Sequence, residues 1–312
     1  MCESRTNSPP RGPRSSTARR ATRAAVLGIV LLALTGCNPA YRVALFGDVP
    51  YTDDAEVAYD RLIGDVNDDD VAFSSHVGDF KARSSICTDA EVNENIGRFD
   101  SLDQPLVFTP GDNDWTDCSD PVTRLTRLRE LVFRGTGDRS RGQTTMYLNS
   151  QRELGYPENA RWRRGPVTFA TLHVVGSNDN QANPGEQSAR RLADIEWVRD
   201  TFARAKSRDD LGVVLFAHTH LRFSSAEGGK GIYESLFQAL RQETMNFTGQ
   251  VLYVHGDDHQ FINDQPMRTA TNQVVGNFRR VEVYGNPTVR WVRLTVAPDS
   301  AQLFTITTPP TP

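Results

Sequence analysis

The sequence predicts an α/β domain, because short apolar runs rich in β-forming residues alternate with segments of helical periodicity. The apolar runs lie at Tyr41–Phe46, Val71–Ser75, Pro105–Thr109, Val167–Val175, Leu211–Ala217 and Gln250–His255. Runs such as Val213–Phe216 are continuously apolar, which is typical of strands buried on both faces of a sheet. The last third of the chain instead alternates, so we expect a βα-type core followed by antiparallel strands.

The clearest helix prediction covers residues 187–206, where apolar residues recur at spacings of three and four. Residues 121–133 form a second predicted helix, and Pro121 suits its first turn. Residues 55–66 and 230–245 show weaker helical patterns. These segments separate most of the predicted strands, as a βα-type layout requires.

The alternating segments Phe278–Tyr284 and Val289–Val296 flank Gly285-Asn286-Pro287, which predicts a β-hairpin. Leu303–Ile306 adds a short strand. Residues 307–312 are Thr and Pro only, and we expect a disordered tail there. The sequence therefore predicts a single domain over residues 38–306.

The first 37 residues have the pattern of an export leader. Residues 1–24 are rich in Arg, Ser, Thr and Pro, and an apolar stretch too short to span a bilayer follows. The tetrapeptide Leu34-Thr35-Gly36-Cys37 resembles the lipobox of bacterial lipoproteins. The resemblance implies cleavage before Cys37, diacylglycerol on its sulfur, and an exported protein held in the bacterial cell envelope by its lipid anchor. An ordinary secretory signal and an uncleaved anchor are the alternatives, and Arg19-Arg20 is a poor match to a twin-arginine signal.

The charge of the mature chain argues against a nucleic-acid partner. Residues 1–37 hold six of the 35 basic residues and one of the 39 acidic residues. Their removal leaves 29 basic and 38 acidic residues, a net charge of −9. An acidic surface repels polyanions.

Two cysteines remain once Cys2 and Cys37 are assigned to the leader and the lipid site. An even pair in an oxidising compartment favours a disulfide between Cys87 and Cys118. Two metal-binding thiolates are the alternative, although other metal-binding residue types lie nearby in the sequence.

Potential metal ligands follow five predicted strands. They occur in Gly47-Asp48, Gly78-Asp79, Gly111-Asp112-Asn113-Asp114, His218-Thr219-His220 and Gly256-Asp257-Asp258-His259. Ligands in open α/β sheets bind outside the carboxyl ends of the strands, and glycine permits a sharp turn close to a ligand. One Gly-Asp pair is common in turns, but five such strand ends predict a polynuclear metal site.

The order of these segments resembles the calcineurin-like metallophosphoesterase superfamily, including the purple acid phosphatases, over roughly residues 41–262. The resemblance implies a four-layer α/β/β/α sandwich of two mixed β-sheets flanked by helices. It also implies two divalent metal ions, Mn, Fe, Mg or Zn, bridged by one carboxylate. The activity it implies is hydrolysis of a small-molecule phosphate ester by a hydroxide that bridges the two ions.

The positions that match metal ligands of the family are Asp48, Asp79, Asp112, His218, Asp257 and His259. The resemblance places Asp48 and His259 on the first ion and Asp79 between the two. It places Asp112, His218 and Asp257 on the second ion. His220 is a possible substitute for His218.

The chain departs from the family pattern at several positions. Pro50 replaces a histidine of the first motif, and Tyr51 beside it could supply an oxygen. Asp112 replaces an asparagine ligand and Asp257 a histidine, so four carboxylates balance the charge of two divalent ions. Such an oxygen-rich set favours Mn, Mg or Fe over zinc. A less electrophilic site of this kind suits a diester or an activated ester.

Asn113 replaces the family's acid/base histidine, and an amide cannot protonate a leaving group. We expect it to hydrogen-bond a phosphoryl oxygen, with His220 as the first candidate for the missing acid and His76 and His255 as others. The alternative to an enzyme is a catalytically degenerate envelope lipoprotein that keeps the fold as a metal-binding or interaction module.

Other residues near these motifs allow two interpretations. Asn178, in the loop Gly176–Asn180, either lines the substrate site or forms Asx turns. Lys81 could pair with phosphate or be exposed, and Trp115 could wall the pocket or pack. His173 is expected in the core. The basic run at residues 161–164 is expected in a solvated loop.

Overall fold

The computed structural model describes residues 38–135, 137–177, 179–223 and 231–310. These residues belong to one compact unit, Cys37–Pro312. The expected leader, the lipidation site Cys37 and the substrate-binding candidate Asn178 lie outside the described residues. No helix among the described residues is long and apolar enough to cross a membrane.

The strands in chain order are β1 Tyr41–Phe46, β2 Val71–His76, β3 Leu106–Phe108, β4 Asn149–Gln151, β5 Tyr156–Arg164, β6 Val167–Thr171, β7 Gly212–Phe216, β8 Gln250–His255, β9 Ile262–Asp264, β10 Phe278–Glu282, β11 Val292–Val296 and β12 Phe304–Thr307. The α-helices are α1 Asp53–Asn67, α2 Asp89–Asp100, α3 Asp112–Trp115, α4 Pro121–Leu128, α5 Pro184–Ser207 and α6 Glu234–Met245. A π-helical turn, Arg129–Arg134, continues α4, and a 3₁₀ turn, Arg152–Leu154, follows β4.

The strands form two mixed sheets. The five-stranded sheet has the order β12-β11-β1-β2-β3, with β1, β2 and β3 parallel and β11 and β12 antiparallel to their neighbours. The seven-stranded sheet has the order β4-β5-β6-β7-β8-β10-β9, in which β6, β7, β8 and β10 are parallel. Parallel neighbours place their carboxyl ends at one edge of each sheet.

The two sheets pack face to face and helices cover both outer faces. Val43 and Leu45 of β1 enter the core between the sheets with Phe169 and Phe216 of the other sheet. Alternate residues of the same strands pack outward against α1, α2 and α4 on one side, and against α5 and α6 on the other. Burial on both faces explains why the strands read as continuous apolar runs. The predicted four-layer α/β/β/α sandwich is confirmed.

Threonine and aspartate fix the starts of three helices. Thr52 accepts a hydrogen bond from the Ala55 amide and begins α1, and Thr88 accepts one from the Glu91 amide and begins α2. Asp120 accepts from the Thr123 amide, and Pro121 occupies the first turn of α4. Each such cap stabilises a helix by about 1 kcal/mol.

The predicted hairpin around Gly285-Asn286-Pro287 is wrong. β10 pairs in parallel with β8 in the seven-stranded sheet, whereas β11 pairs antiparallel with β1 in the five-stranded sheet. The connecting segment therefore crosses from one sheet to the other. Both strands do alternate, but strand pairing is decided by the tertiary neighbours and not by the turn residues alone.

The basic run at residues 161–164 is part of β5 and not a solvated loop. Arg161 is 4% exposed and hydrogen-bonds Thr201 and Asp200 of α5, while its guanidinium lies 4.2 Å from the centre of the Trp197 ring. Trp162, on the other face, stacks on Phe169 between the sheets. Because Arg161 occupies a buried position, the segment lacks the alternation of apolar and polar residues that would predict a strand.

The predicted disulfide between Cys87 and Cys118 is confirmed, with Cα atoms 5.9 Å apart. It joins the loops that follow β2 and β3. At the other end of the chain, β12 reaches Thr307, and the Pro309 carbonyl accepts a hydrogen bond from Arg290 at 2.7 Å. The last strand therefore extends one residue beyond the expected domain boundary at residue 306. Pro309, in the segment expected to be a disordered tail, contacts the domain.

Candidate metal centre

Two sheets contribute carboxylates and histidines to one point between their carboxyl edges. Asp48, Asp79 and Asp112 follow β1, β2 and β3 of the five-stranded sheet. His218 follows β7, and Asp257 and His259 follow β8, both in the seven-stranded sheet. The adjacent parallel strands of each sheet bring these residues together across long sequence separations.

His218 lies at the centre of the cluster and is fully buried. Its Nε2 atom is 2.9 Å from Asp112 Oδ1, 3.5 Å from Asp79 Oδ2 and 3.5 Å from Asp257 Oδ1. Its Nδ1 atom is 2.9 Å from the Val77 carbonyl oxygen and 4.0 Å from Asp48 Oδ1. Ligand atoms of two overlapping groups lie within 4.8 Å of one another: Asp48, Asp79 and His218, and Asp112, His218 and Asp257.

His259 and Tyr51 extend the cluster on the Asp48 side. His259 Nε2 is 3.7 Å from Asp48 Oδ1, and its Nδ1 is 2.7 Å from the Asn286 carbonyl oxygen. The Tyr51 hydroxyl donates to Asp79 Oδ2 at 3.1 Å and lies 3.4 Å from His259 Nε2. Tyr51 therefore places a phenol oxygen beside the ligands, next to the proline that replaces the family's histidine.

Asn113 also lies beside Asp79 and Tyr51. Its Nδ2 donates to the Tyr51 hydroxyl at 3.0 Å, and its backbone N–H donates to Asp79 Oδ1 at 2.9 Å. The side chain thus lies beside Asp79 and Tyr51, where it could meet a phosphoryl oxygen. An amide donates hydrogen bonds but gives up no proton.

The turns that carry the ligands have unusual backbone conformations. Asp48, Asp79, Asp257 and His259 have φ angles of 56°, 58°, 81° and 62°. A non-glycine residue in this region costs of order 1 kcal/mol or more, and such residues cluster at functional sites.

Two glycines permit the close approach of backbone to ligand. A Cβ atom added to Gly111 would lie 2.1 Å from Asp79 Oδ1, and one added to Gly256 would lie 2.1 Å from Asp48 Oδ2. Both distances are far below contact, so a side chain at either position would displace a ligand. These are the glycines of the Gly-Asp motifs.

Three polar residues support the cluster from behind. Asp114, fully buried, accepts hydrogen bonds from the backbone amides of Asp79, Phe80 and Gly111 at 2.8–3.0 Å. The Ser177 hydroxyl donates to Asp112 Oδ2 at 2.6 Å, and the Thr219 hydroxyl donates to Asp257 Oδ2. Supporting hydrogen bonds of this kind orient metal ligands.

Sequence reasoning gave none of these three residues a role. Asp114 is the third residue of α3, and its carboxylate accepts from the Gly111 amide at the start of that helix; an acid at this position is the local signal that could have identified it. Ser177 and Thr219 have no comparable signal, because their partners are distant in sequence.

The cluster carries four carboxylates that no Lys or Arg of the described residues pairs with. Burial raises the pKa of Asp48 to about 8 and, with Asp112 and Asp114 nearby, raises that of Asp79 well above its usual range. Burial acts the same way on Asp112 and Asp257, but the hydrogen bond and charge of His218 outweigh it and lower both pKa values.

The pKa of His218 moves in the opposite direction. Burial lowers it, but Asp79, Asp112 and Asp257 outweigh burial and raise it well above the usual value. The carboxylates therefore attract positive charge strongly, and one imidazolium cannot balance four of them. Oxygen-rich donors, one histidine on each side and the close glycine turns fit two divalent cations.

The other histidines lie in different surroundings. His76 is buried among Phe46, Phe99 and Phe108, and burial lowers its pKa to about 3. His255 is buried, 4.0 Å from Glu282, and burial lowers its pKa to about 3 as well. Both lie in the core, where burial disfavours the imidazolium form.

His220, the first candidate for the missing acid, makes its contacts with Asp258, Arg222 and His255. Its Nε2 is 3.6 Å from Asp258 Oδ2, its Nδ1 accepts from the Arg222 amide, and its ring centre is 5.7 Å from that of His255. Burial lowers its pKa. A role for His220 in proton transfer stays a prediction.

Three more residues can now be placed. Lys81 is 1% exposed, and its Nζ donates to the carbonyls of Ala82 and Ser85. Trp115 is fully buried and packs 5.4 Å from the His173 ring. His173, expected in the core, is buried with its Nδ1 2.7 Å from Glu158 Oε1.

Comparison with known proteins gives similarity in structure only. No family model matches the chain, and no curated protein sequence is similar to it. A dimetal phosphatase from Danio rerio superposes with a TM-score of 0.54 at 12% identity, over 82% of this chain and 92% of that one. A purple acid phosphatase from yellow lupin (Lupinus luteus) seeds gives 0.48 at 13% identity, over 87% of this chain and 54% of that longer one.

The first of these similarities, at this identity, identifies the fold. Two mixed sheets of five and seven strands, flanked by helices, also match the architecture that the motif order predicts. The chain has the calcineurin-like metallophosphoesterase fold.

Proposed function

We propose that this chain is a metal-dependent phosphoesterase with a dinuclear centre at the carboxyl edges of its two sheets. The observation that carries the proposal is the group of four carboxylates around His218, with no Lys or Arg partner in the described part of the chain. Buried acids without a cation are costly, and the cost is removed when they coordinate metal ions.

In this proposal Asp48, Asp79 and His259 hold one ion, and Asp79, Asp112, His218 and Asp257 hold the other. When bound, two divalent ions neutralise the carboxylates, polarise phosphoryl oxygens and lower the pKa of water. Ser177 and Thr219 keep Asp112 and Asp257 in place through their hydroxyl hydrogen bonds.

The chain's own donors bind the substrate. The Asn113 amide and the Tyr51 hydroxyl are 3.0 Å apart and form one polar surface beside Asp79. Burial, followed by the charge of Asp79, raises the pKa of Tyr51 far above its usual value, so its hydroxyl keeps its proton and stays a donor. Asn113 Nδ2 keeps a second N–H for a non-bridging phosphoryl oxygen, whereas the single Tyr51 O–H can donate to one only when it releases Asp79 Oδ2.

Neither donor can protonate a leaving alkoxide, a step worth roughly 10²–10⁴ in rate. This supports an activated ester, whose leaving group needs no proton, and the preference for a diester comes from the charge of the site. Four carboxylates against two divalent ions also leave little positive charge to attract a phosphomonoester dianion.

We further propose that the domain is exported and lipid-anchored at Cys37, on the evidence of the leader and its lipobox-like end. In this proposal the lipid attaches the chain to the membrane. The substrate is a small-molecule phosphate ester, as the metal centre implies. The acidic mature chain disfavours nucleic acid.

The test uses residues 38–312, because the described residues form one compact unit with its own core. We expect two metal ions per chain and Mn²⁺-dependent hydrolysis of a generic aryl diester, faster than that of the monoester. Asp79→Asn should lower metal affinity more than about 100-fold, since even residues behind the ligands contribute 10–100-fold. Asp68→Asn, an exposed control in the loop after α1, should change neither quantity.

Fewer than one ion per chain and no turnover of either ester would contradict the proposal. Such a result would instead favour the degenerate lipoprotein, in which the fold serves binding or interaction alone.

A further inference from the structure

A groove at the far end of the domain from the metal ligands is lined by arginines. Its volume is about 530 Å³, and its lining includes Arg161, Arg163, Arg164, Arg204 and Arg208. The first three belong to β5, and the last two lie at the C-terminal end of α5. β4 pairs with β5 only as far as Arg161, so the last residues of β5 form an edge that leaves this groove open.

The positive charge in the groove is only partly balanced. Asp200 accepts hydrogen bonds from both Arg161 and Arg204, and Asp210 pairs with Arg163 at 2.8 Å. Arg164 and Arg208 have no acidic partner within 4.0 Å among the described residues. Five cations against two anions stand out on a mature chain whose net charge is −9, and such an excess attracts an anionic partner.

The groove lies where the chain enters the domain. The Tyr41 hydroxyl donates to the Arg164 carbonyl at 2.9 Å, and the Arg164 guanidinium lies 5.0 Å from the centre of the Tyr41 ring. A second groove of about 390 Å³ continues from Arg164 to Asn38 and contains one acid, Asp70. Asn38 directly follows Cys37, the residue proposed to carry the lipid.

The metal ligands lie at the opposite end of the same strands. Arg164 pairs with Val167 at the start of β6, whereas His218 follows the end of the parallel neighbour β7. Five residues of strand separate these ends by roughly 15–20 Å. The arginine groove and the candidate metal centre thus lie at opposite ends of the same strands.

We propose that the arginine groove binds the phosphate headgroups of anionic phospholipids and faces the membrane. Tyr147, which lines the groove and is 66% exposed, is a residue type enriched at membrane interfaces. A lipid at Cys37 would hold this end at the bilayer, and the acidic remainder of the surface is repelled by anionic headgroups. The metal centre then faces the aqueous side, so its substrate arrives from solution and not from the bilayer.

The inference rests on the position of Cys37 but not on catalysis, and residues 38–312 test it without acylation. Co-sedimentation with phosphatidylglycerol vesicles should show binding at low salt, with weak or no binding to phosphatidylcholine vesicles. Arg164→Gln/Arg208→Gln should weaken binding to phosphatidylglycerol about 30-fold, since each arginine near an anionic surface contributes about fivefold. Arg61→Gln/Arg199→Gln removes the same charge from exposed positions on α1 and on another face of α5, and should weaken it less than threefold.

Three results would overturn the inference. Equal binding to both kinds of vesicle would show that the attraction is not to anionic headgroups. Equal losses in the two double variants would show that net charge matters and the groove does not. Full competition by millimolar inorganic phosphate at constant ionic strength would identify a site for a soluble anion.

Discussion

The domain contains two buried clusters of charged residues, and they are built on opposite principles. Around Arg190, three acids have an arginine: Arg190 pairs with Asp179 at 2.8 Å and with Glu186 at 2.7 Å, and Arg129 pairs with Glu158. The fourth acid, Asp194, accepts hydrogen bonds from Asn159 and the His173 amide, and burial raises its pKa to about 8. Around His218, four carboxylates have two imidazoles, those of His218 and His259, and no arginine or lysine among the described residues. Arginine supplies the positive charge of the first cluster, whereas the second has no arginine or lysine among its partners in the described residues.

The two clusters meet in the loop after β6. Arg190 donates to the His173 carbonyl and to Asp179 Oδ1 on either side of Gly176 and Ser177. A Cβ atom on Gly176 would lie 2.3 Å from Asp257 Oδ1 and 2.6 Å from Asp112 Oδ1, and Ser177 donates to Asp112. The arginine-paired cluster therefore holds the backbone that supports the carboxylate cluster.

The largest effect should come from opening the paired cluster. We expect Arg190→Met to lower the free energy of unfolding by about 3–5 kcal/mol, because it leaves Asp179 and Glu186 buried with too little positive charge. Urea denaturation at pH 7 measures the change. Arg191→Met is the matched control: Arg191 also pairs with Asp179 but is half-buried, and its loss should cost under about 1 kcal/mol. Equal losses of unfolding free energy in the two variants would contradict the proposed role of the fully buried arginine.

A pH series separates charge from packing in the same cluster. Burial opposes ionisation of Glu158, but Arg129 and His173 outweigh it and lower its pKa to about 2, from 4.5. The carboxylate therefore stabilises the fold above pH 4.5, and this stabilisation is lost as the pH falls from 4.5 to 2.

Glu158→Gln should accordingly cost about 3 kcal/mol at pH 7 and less than half of that at pH 3. Urea denaturation at both values gives the two differences, with exposed Glu153→Gln as the control. A cost that is the same at both pH values would show that shape, and not charge, is what Glu158 supplies.

The carboxylate cluster should respond with the opposite sign. Burial raises the pKa of Asp48 to about 8, so in metal-free protein its ionisation costs stability as the pH rises from about 4 to 8. We expect Asp48→Asn to stabilise the metal-free domain at pH 8 by about 0.5–2 kcal/mol and to reduce the stabilisation that Mn²⁺ gives the unmodified domain, because the ligands of the other ion are unchanged. Thermal melting with EDTA and with Mn²⁺ measures both, and a destabilised metal-free variant would contradict the distinction between the clusters.

Helices and strands could be predicted from the sequence where the residues that identify them are close together in the chain. β1 and β8 were predicted to the residue, because strands buried on both faces are continuous apolar runs bounded by Gly-Asp turns. β5 was missed because its buried positions include Glu158 and Arg161, whose partners lie on other elements. α2 was missed because its buried side includes only Val92, Asn95 and Phe99.

The candidate site shows the same division. The Gly-Asp segments indicated which residues follow the strands, and the structure places all six predicted metal ligands around one point. Position at a strand end did not separate His218 from His76 and His255, and the family resemblance was needed to choose His218 as the ligand. Burial among aromatic rings or beside Glu282 distinguishes the latter two, and burial is set by the tertiary fold.

The division of the ligands between the sheets has a mechanical consequence. Three candidate ligands belong to the five-stranded sheet and three to the seven-stranded sheet, and the layer between the sheets is apolar. Apolar packing is not directional, so it resists separation of two layers better than their sliding. Ions coordinated by residues of both sheets would oppose this sliding. The loops of each sheet would supply three of the six candidate ligands, so a shift of one sheet against the other would change the coordination geometry.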